Sequence, residues 1–391
     1  MRTSFIVIAS AFLLTAGAVP QSFAQRPAPA ETKLTAHDGS ADDNFGQSVA
    51  ASETTIVVGA LGDGDRGPFS GSAYIFERTR NDWREVAKLT ASDGGPGEYF
   101  GLSVAASANV TVVGAANLMS SGKAYVFERA GGAWVESARL TALPGEPLDN
   151  FGYSVAATEN IVVVGAPTDT HGGTQFGAGA AYVFERSGAE WQMVAKLTNE
   201  DADTTANFGL SVAAGPNTVI VGAAFDDARG PSSGSVYVFE RSGGAWRQAA
   251  KLTANPGVPF EMFGGSVALS NSVLIAGAAG SAYVFERRRG AWQEVATLTP
   301  DSGANFSFGG SVAASADTLV VGAWDEGSAG ASYVFRRSAN GWREAVKLTA
   351  SDGGAGDRFG WSVGAGPSAV VVGAPSDSDN GAESGSAYVF K

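Results

Sequence analysis

The chain has 391 residues, 26 basic against 39 acidic side chains for a net charge of −13, 53 glycines and no cysteine. So acidic a chain lacks the electrostatics for nucleic acid or an anionic membrane surface, and without cysteine its core alone must hold it together. Short valine and aromatic runs, abundant glycine and no helical periodicity place it in the all-β class.

In chain order, Met1 and Arg2 form a short basic start and Phe5 to Leu14 an apolar run. Ser22-Phe23-Ala24 offers small residues at the two positions a signal peptidase reads. Residues 1–24 therefore read as a secretory signal peptide, with cleavage expected after Ala24; the apolar run is too short for a membrane span. Residues 25–32, with Arg26-Pro27-Ala28-Pro29-Ala30, read as a linker. The mature chain is expected to be secreted or periplasmic, without membrane insertion. It has no cysteine to carry a lipid anchor. A cysteine-free exported chain with this leader fits a bacterial source.

From there the chain repeats itself seven times. Phe-Gly pairs stand at Phe45, Phe100, Phe151, Phe208, Phe263, Phe308 and Phe359, spaced by 55, 51, 57, 55, 45 and 51 residues. Each opens the same order of segments. In the first copy these are Phe45-Gly46-Gln47-Ser48-Val49-Ala50, Thr55-Ile56-Val57-Val58-Gly59-Ala60, Ser72-Ala73-Tyr74-Ile75-Phe76-Glu77 and Trp83 to Thr90. Four strands at such a period predict the blades of a β-propeller. The second strand is apolar at consecutive positions, as a strand covered on both faces should be. The fourth alternates, with Trp83, Glu85, Ala87 and Leu89 on one side, as expected of an outer, partly solvated strand. Glycine and alanine in the first two strands suit the crowded axis.

The ends predict how the ring closes. The seventh copy stops at Tyr388-Val389-Phe390-Lys391, without a Trp…Lys-Leu-Thr-Ala strand, whereas Lys33-Leu34-Thr35-Ala36 precedes the first Phe-Gly. The N-terminal strand should complete the last blade, giving one domain over residues 33–391: a seven-bladed β-propeller of four-stranded antiparallel blades.

Phe-Gly followed by Gly-Ala-Pro, intact at Gly165-Ala166-Pro167 and Gly373-Ala374-Pro375, resembles the FG-GAP repeats of integrin α-subunit β-propellers. The resemblance covers essentially Lys33 to Lys391. It implies a seven-bladed fold and adhesion or ligand binding, often with calcium held in an acidic turn between the first two strands. Here those turns are short: Ser52-Glu53-Thr54, Ser107-Ala108-Asn109 and Thr158-Glu159-Asn160 are representative. None carries the oxygens a calcium cage needs. The family's metal site does not carry over, and no cofactor is expected.

In such a blade the 2–3 loops and the links between blades share one face of the ring; the 1–2 and 3–4 turns share the other. The 3–4 turns are rich in Glu and Arg, whereas acids collect in the loops and links, so one face should be strongly negative. Candidate ligand-binding residues in the 2–3 loops are Asp63, Asp65, Phe69, Asp169, Phe176, Phe225, Asp226, Asp227, Trp324 and Asp325. The aromatic members are candidate stacking platforms for a sugar. Asp377-Ser378-Asp379-Asn380-Gly381 and Asp63-Gly64-Asp65 have the spacing of calcium-loop fragments, which makes Asp377 and Asp379 candidate metal ligands.

No catalytic constellation is legible. Gly360-Trp361-Ser362-Val363-Gly364 matches the Gly-x-Ser-x-Gly nucleophile pattern, but the same serine recurs in all seven first strands and no strand-to-helix turn surrounds it. His37 and His171 are the only imidazoles, and both read as solvated. The composite reading is a monomeric, non-catalytic binding or adhesion module that takes a protein or glycan ligand on its acidic loop face. A carboxylate-dependent enzyme acting on extracellular polysaccharide and a structural envelope scaffold are the alternatives.

Overall fold

The structure, a computed structural model, describes residues 29–80, 82–117, 121–142, 148–170, 177–199, 205–301, 303 and 305–391. Within these, 28 strands form seven four-stranded antiparallel sheets. Strand β1 (Glu31–Leu34) comes first, followed by blade one: β2 (Phe45–Ala51), β3 (Thr55–Ala60), β4 (Ser72–Arg78) and β5 (Trp83–Leu89). Blades two to six repeat this order with β6–β25, between Ser103 and Leu348. Blade seven contains β26 (Ser362–Ala365), β27 (Val370–Ala374) and β28 (Ser386–Phe390).

Its outer strand is β1, which pairs antiparallel with β28 so that Lys33 faces Tyr388 and Leu34 faces Ala387. The ring closes as the displaced segment predicted. The strand begins at Glu31, inside the stretch read as linker, and ends before Thr35.

The core is divided among the seven interfaces between neighbouring blades. All six residues of β3 are buried, which explains its unbroken apolar run: each blade is covered on both faces by the next. The Phe of every Phe-Gly pair is a hinge of this packing. Phe45 meets Tyr74 edge-to-face at 5.4 Å and Phe76 at 6.0 Å, the favourable geometry for aromatic quadrupoles.

The glycines of the repeat are contact points between blades. Gly46 has φ of +93° and a Cβ there would overlap the Ser386 carbonyl of blade seven. Gly59 would drive a Cβ into the Gly101 carbonyl of blade two. That carbonyl accepts a hydrogen bond from the Ser48 hydroxyl at 2.8 Å. The pattern runs round the whole ring, from Ser103 to Gly152, Ser154 to Gly209, Ser211 to Gly264, Ser266 to Gly309, Ser311 to Gly360 and Ser362 to Gly46. The serine of Gly-Trp-Ser-Val-Gly is thus one link of a structural hydrogen-bond belt.

Strand four keeps the expected alternation, Trp83, Glu85, Ala87 and Leu89 being less exposed than Arg84 and Val86 between them, and it carries a bulge. In blade one the register shifts between Ile75 and Phe76, so that Ala87 faces Ile75, Glu85 faces Phe76, and Val86 is left without a partner. The same bulge recurs in blades two to six. A bulge leaves one residue unpaired and increases the local twist; beyond it Lys88 stands opposite Tyr74.

Candidate ligand-binding face

The tyrosine of strand three begins each site on the loop face. Its ring is buried between blades, its hydroxyl reaches the base of the 2–3 loop, and a carboxylate meets it there. In blade one Asp63 Oδ1 accepts the amide hydrogen of Asp65 at 3.0 Å, and its Oδ2 accepts the Tyr74 hydroxyl at 2.9 Å. The Lys88 ammonium lies 2.8 Å from the same oxygen and 5.3 Å from the Tyr74 ring centroid. Asp226 repeats this with Ala228, Tyr237 and Lys251, and Asp377 with Asp379, Tyr388 and Lys33. Asp169 binds Tyr182 and Lys196. These four aspartates, expected to be open to a ligand, are buried, and each is neutralised within its own blade.

Blades one and seven gather further acids around one lysine. Lys88 contacts Asp38 at 2.7 Å and Asp65 at 2.6 Å as well as Asp63. Lys33 contacts Asp352 at 2.8 Å and Asp379 at 2.5 Å as well as Asp377. Burial opposes the charge on both lysines, but hydrogen bonds to three carboxylates outweigh it and hold each ammonium above the usual lysine range. Burial would raise Asp38 and Asp352; the lysine and the tyrosine hydroxyl hold both below the carboxylate range. Asp43 and Asp357, set behind the clusters, are pushed up by burial that their bonds to Ser40 and Gly354 only partly offset. In both loops an ammonium group fills the place where the spacing suggested a metal ion. Among the described residues, no group of three or more His, Cys, Asp or Glu side chains is arranged to hold a metal.

The other blades keep the tyrosine and change the acid. In blade two Asp93, from the preceding link, takes the Tyr125 hydroxyl together with Lys123 and Arg139. Burial acts against its charge, but those three partners depress it to about 2. Blade six uses Glu326 with Tyr333 and Lys347. Blade five has Glu261 on Tyr283, and Thr297 stands where the other blades carry a basic residue. The sequence carried a signal for this unit: the repeated Lys-Leu-Thr lysine and the loop aspartate are both missing from the fifth copy.

The remaining candidates are scattered. Asp65 and Asp379 are exposed but tied to Lys88 and Lys33. Asp227 accepts the Ser232 amide hydrogen at 2.7 Å. Asp325 is exposed on the blade-six loop. Phe69 is exposed and tilts against Tyr99 at 5.8 Å, while Phe225 is half-buried. Phe176 and His171 lie outside the described residues; His37 bonds Glu85 at 2.6 Å. Trp324 stacks edge-to-face on Trp361 at 5.4 Å, and the Arg358 guanidinium lies 5.5 Å from the Trp361 ring. Trp361 stands inside the Gly-x-Ser-x-Gly match and carries no sequence signal of its own for this contact.

On the opposite face the Glu and Arg of the 3–4 turns pair between blades. Arg129 meets Glu77 at 2.9 Å, Arg241 meets Glu185 at 2.8 Å and Arg287 meets Glu240 at 2.9 Å. Arg186 with Glu128 and Arg337 with Glu286 complete the series. Much of that charge is therefore spent on joining blades.

A family model described as "FG-GAP repeat" matches the chain seven times, over residues 30–76, 83–127, 134–184, 191–239, 246–285, 292–335 and 342–390. The chain belongs to the FG-GAP repeat family. Each FG-GAP unit begins in the outer strand of one blade and ends in the third strand of the next, the one-strand offset that β1 resolves at the seam. Seven FG-GAP units in a seven-blade ring support the resemblance to integrin α-subunit propellers. No curated protein matches the chain. Among solved structures, a chain of "Crystal Structure of Mitotic Checkpoint Complex" is similar at 12% identity and a TM-score of 0.56, covering 98% of this chain and 99% of that one. At that identity the likeness concerns the propeller fold alone. An FG-GAP propeller fits a non-catalytic binding module.

Proposed function

We propose that this FG-GAP protein is an exported, monomeric binding or adhesion module that engages a protein or glycan through its loop face, without a resident metal. One observation carries the reading. The repeated residues are committed to structure: Phe to the core, Ser and Gly to the belt, Tyr and Lys to the loop bases, Glu and Arg to the blade clamps. What differs between blades lies in the 2–3 loops and links, which carry the exposed Asp65, Asp227, Asp325, Asp379 and Phe69. Loops on a rigid scaffold are where binding resides. The excess of acid there favours neutral or basic ligands over polyanions.

Probing glycan and peptide arrays with the intact chain tests this. Binding should survive Arg80→Ala and Arg289→Ala on the turn face and weaken on changes to the loop face; the reverse would sink the reading. Calcium added over chelator should move the melting temperature by less than about 2 °C, because lysines already neutralise the acidic loops. N-terminal sequencing of the exported protein should begin at Gln25.

A further inference from the structure

Around the inner rim of the loop face, two sequence positions alternate: the residue after each Phe-Gly and the residue after each Gly-Ala. In the first series stand Gln47, Leu102, Tyr153, Leu210, Gly265, Gly310 and Trp361; in the second, Leu61, Ala116, Pro167, Ala224, Ala279, Trp324 and Pro375. The two series meet in space. A Cβ on Gly265 would lie 4.0 Å from the Ala224 Cβ, one on Gly310 would lie 3.4 Å from Trp324 Nε1, and Trp324 touches Trp361. Blades five and six thus present a run of minimal side chains, Gly265, Ala279 and Gly310, with Ala224 buried beneath Gly265, that ends against two tryptophans. Of the eight tryptophans, six occupy the repeated strand-four position; Trp324 and Trp361 are the two that do not.

The wall is also lowest there. Blade five joins its second and third strands by Ala279-Gly280 alone, whereas Leu61–Gly71 and Pro375–Gly385 connect them in blades one and seven. Two links flank this short hairpin. The Ala279 amide donates to the Glu261 carbonyl at 2.7 Å on one side, and the Asn305 carbonyl lies against Gly280 on the other. Each link carries strongly exposed aromatic surface, Phe260 at 62% and Phe306 at 76%. The Asp325 amide donates to the Ser307 hydroxyl at 3.0 Å, tying the blade-six loop to the second bank. The result is a notch floored by glycine and alanine, banked by phenylalanines and ended by tryptophans.

Charge selects the occupant. Among the described residues of 255–262, 279–280, 299–307 and 324–330 none is Lys, Arg or His, and Arg358 at the tryptophan end is engaged with the Trp361 ring, so the floor itself offers no cation to a uronate, sulfate or phosphate. The exposed carboxylates of the notch, Asp325 and Asp301, repel them and accept hydroxyl hydrogens. The acid clusters that would attract a basic peptide centre on Lys33 and Lys88, in blades seven and one. The indole N–H of Trp324 donates to no group among the described residues, which leaves it for a ligand. Aromatic faces, an indole donor and a carboxylate acceptor together suit a ring with one apolar C–H face and hydroxyls at its edge.

Taking the loop-face reading as its basis, we infer that the blade-five notch is the subsite for a neutral linear polysaccharide, seated over Gly265 and Gly310 against Trp324. The test titrates the full chain with neutral hexasaccharides (β-1,4-glucan, β-1,3-glucan, β-1,4-mannan and α-1,4-glucan), reading tryptophan fluorescence and calorimetry. Polygalacturonate and polylysine serve as charged counterparts. At least one neutral probe should bind, and Trp324→Ala and Gly265→Trp should each weaken it tenfold or more. Gly265→Trp fills the floor with the residue blade seven carries at the same position; the backbone at Gly265 is not left-handed, a Cβ there lies 3.3 Å from the Met262 carbonyl oxygen, and a circular-dichroism melt like the parent's is required of each variant before its binding is read. The inference is overturned if only a charged probe binds, if no neutral probe binds, or if both variants bind like the parent. Binding that survives both variants but is lost on Asp65→Asn with Asp379→Asn overturns the notch and leaves the loop-face reading standing.

Discussion

The Ser362 hydroxyl of blade seven donates to the Gly46 carbonyl of blade one at 2.8 Å, tying blade one to the blade whose outer strand, β1, is held to β28 by pairing alone. Ser211 makes the equivalent bond to Gly264 from blade four, whose outer strand β17 continues directly from β16. Replacing Ser362 by Ala should cost about 1 kcal/mol, the net worth of one such bond, seen as a small fall in the denaturation midpoint. Hydrogen exchange at β1 and β28 should quicken more than at any other blade. Uniform quickening round the ring would show that the seam is no weaker than the other interfaces.

Gly59→Ala should cost more than about 3 kcal/mol or prevent folding, because the new Cβ meets the Gly101 carbonyl, which cannot move without separating two blades. Gly95→Ala is the control. Nothing lies within 4 Å of a Cβ there, and stability should stay within about 0.5 kcal/mol of the parent. Equal midpoints for the two variants would contradict the packing argument.

Lys33→Met should destabilise the protein by about 2–3 kcal/mol, somewhat less than for a fully buried pair because the Lys33 side chain is 21% exposed. It leaves Asp352, Asp377 and Asp379 facing one another at the closing strand. The deficit should shrink as pH falls through about 4, the free carboxylate value, toward about 3, where Asp352, which burial would raise but Lys33 and Tyr388 hold below that value in the folded protein, takes up its proton. A deficit that stays constant from neutral pH to 3 would argue that Lys33 acts through packing alone.

The tyrosines predict steep alkaline unfolding. Burial, then neighbouring carboxylates, raise Tyr74, Tyr125, Tyr182 and Tyr388 well above the free value, and burial with Glu261 pushes Tyr283 up to about 12. The unfolded chain ionises its tyrosines near pH 10 while the folded one keeps these protonated. Their contribution is therefore fully present below pH 10 and is lost as pH rises through 10 toward 12 and beyond. Each fully mismatched tyrosine contributes about 1.4 kcal/mol per pH unit. Phenolate absorbance should appear together with loss of β-structure; buried tyrosines that ionise in a still folded protein would refute this.

The fold was legible because its determinants are local and recur. Phe45, Gly46, Ser48 and Gly59 return in every copy, and the displaced Lys33-Leu34 announced the closure. The state of the candidate site was not. Asp63 and Asp377 read as open acids because their neutralising partners, Lys88 and Lys33, lie in a different strand, and for Asp377 at the other end of the chain. Trp324 and Trp361 belong to different blades, so no spacing could pair them.

The amino-acid sequence by itself determined the seven-blade ring and its seam, since period, burial pattern and glycine positions follow from residues close in the chain. Tertiary structure alone decided which charges remain free and which aromatics meet. Charge neutralisation depends on distances of a few ångströms between side chains on separate strands, and only the closed ring brings those strands together.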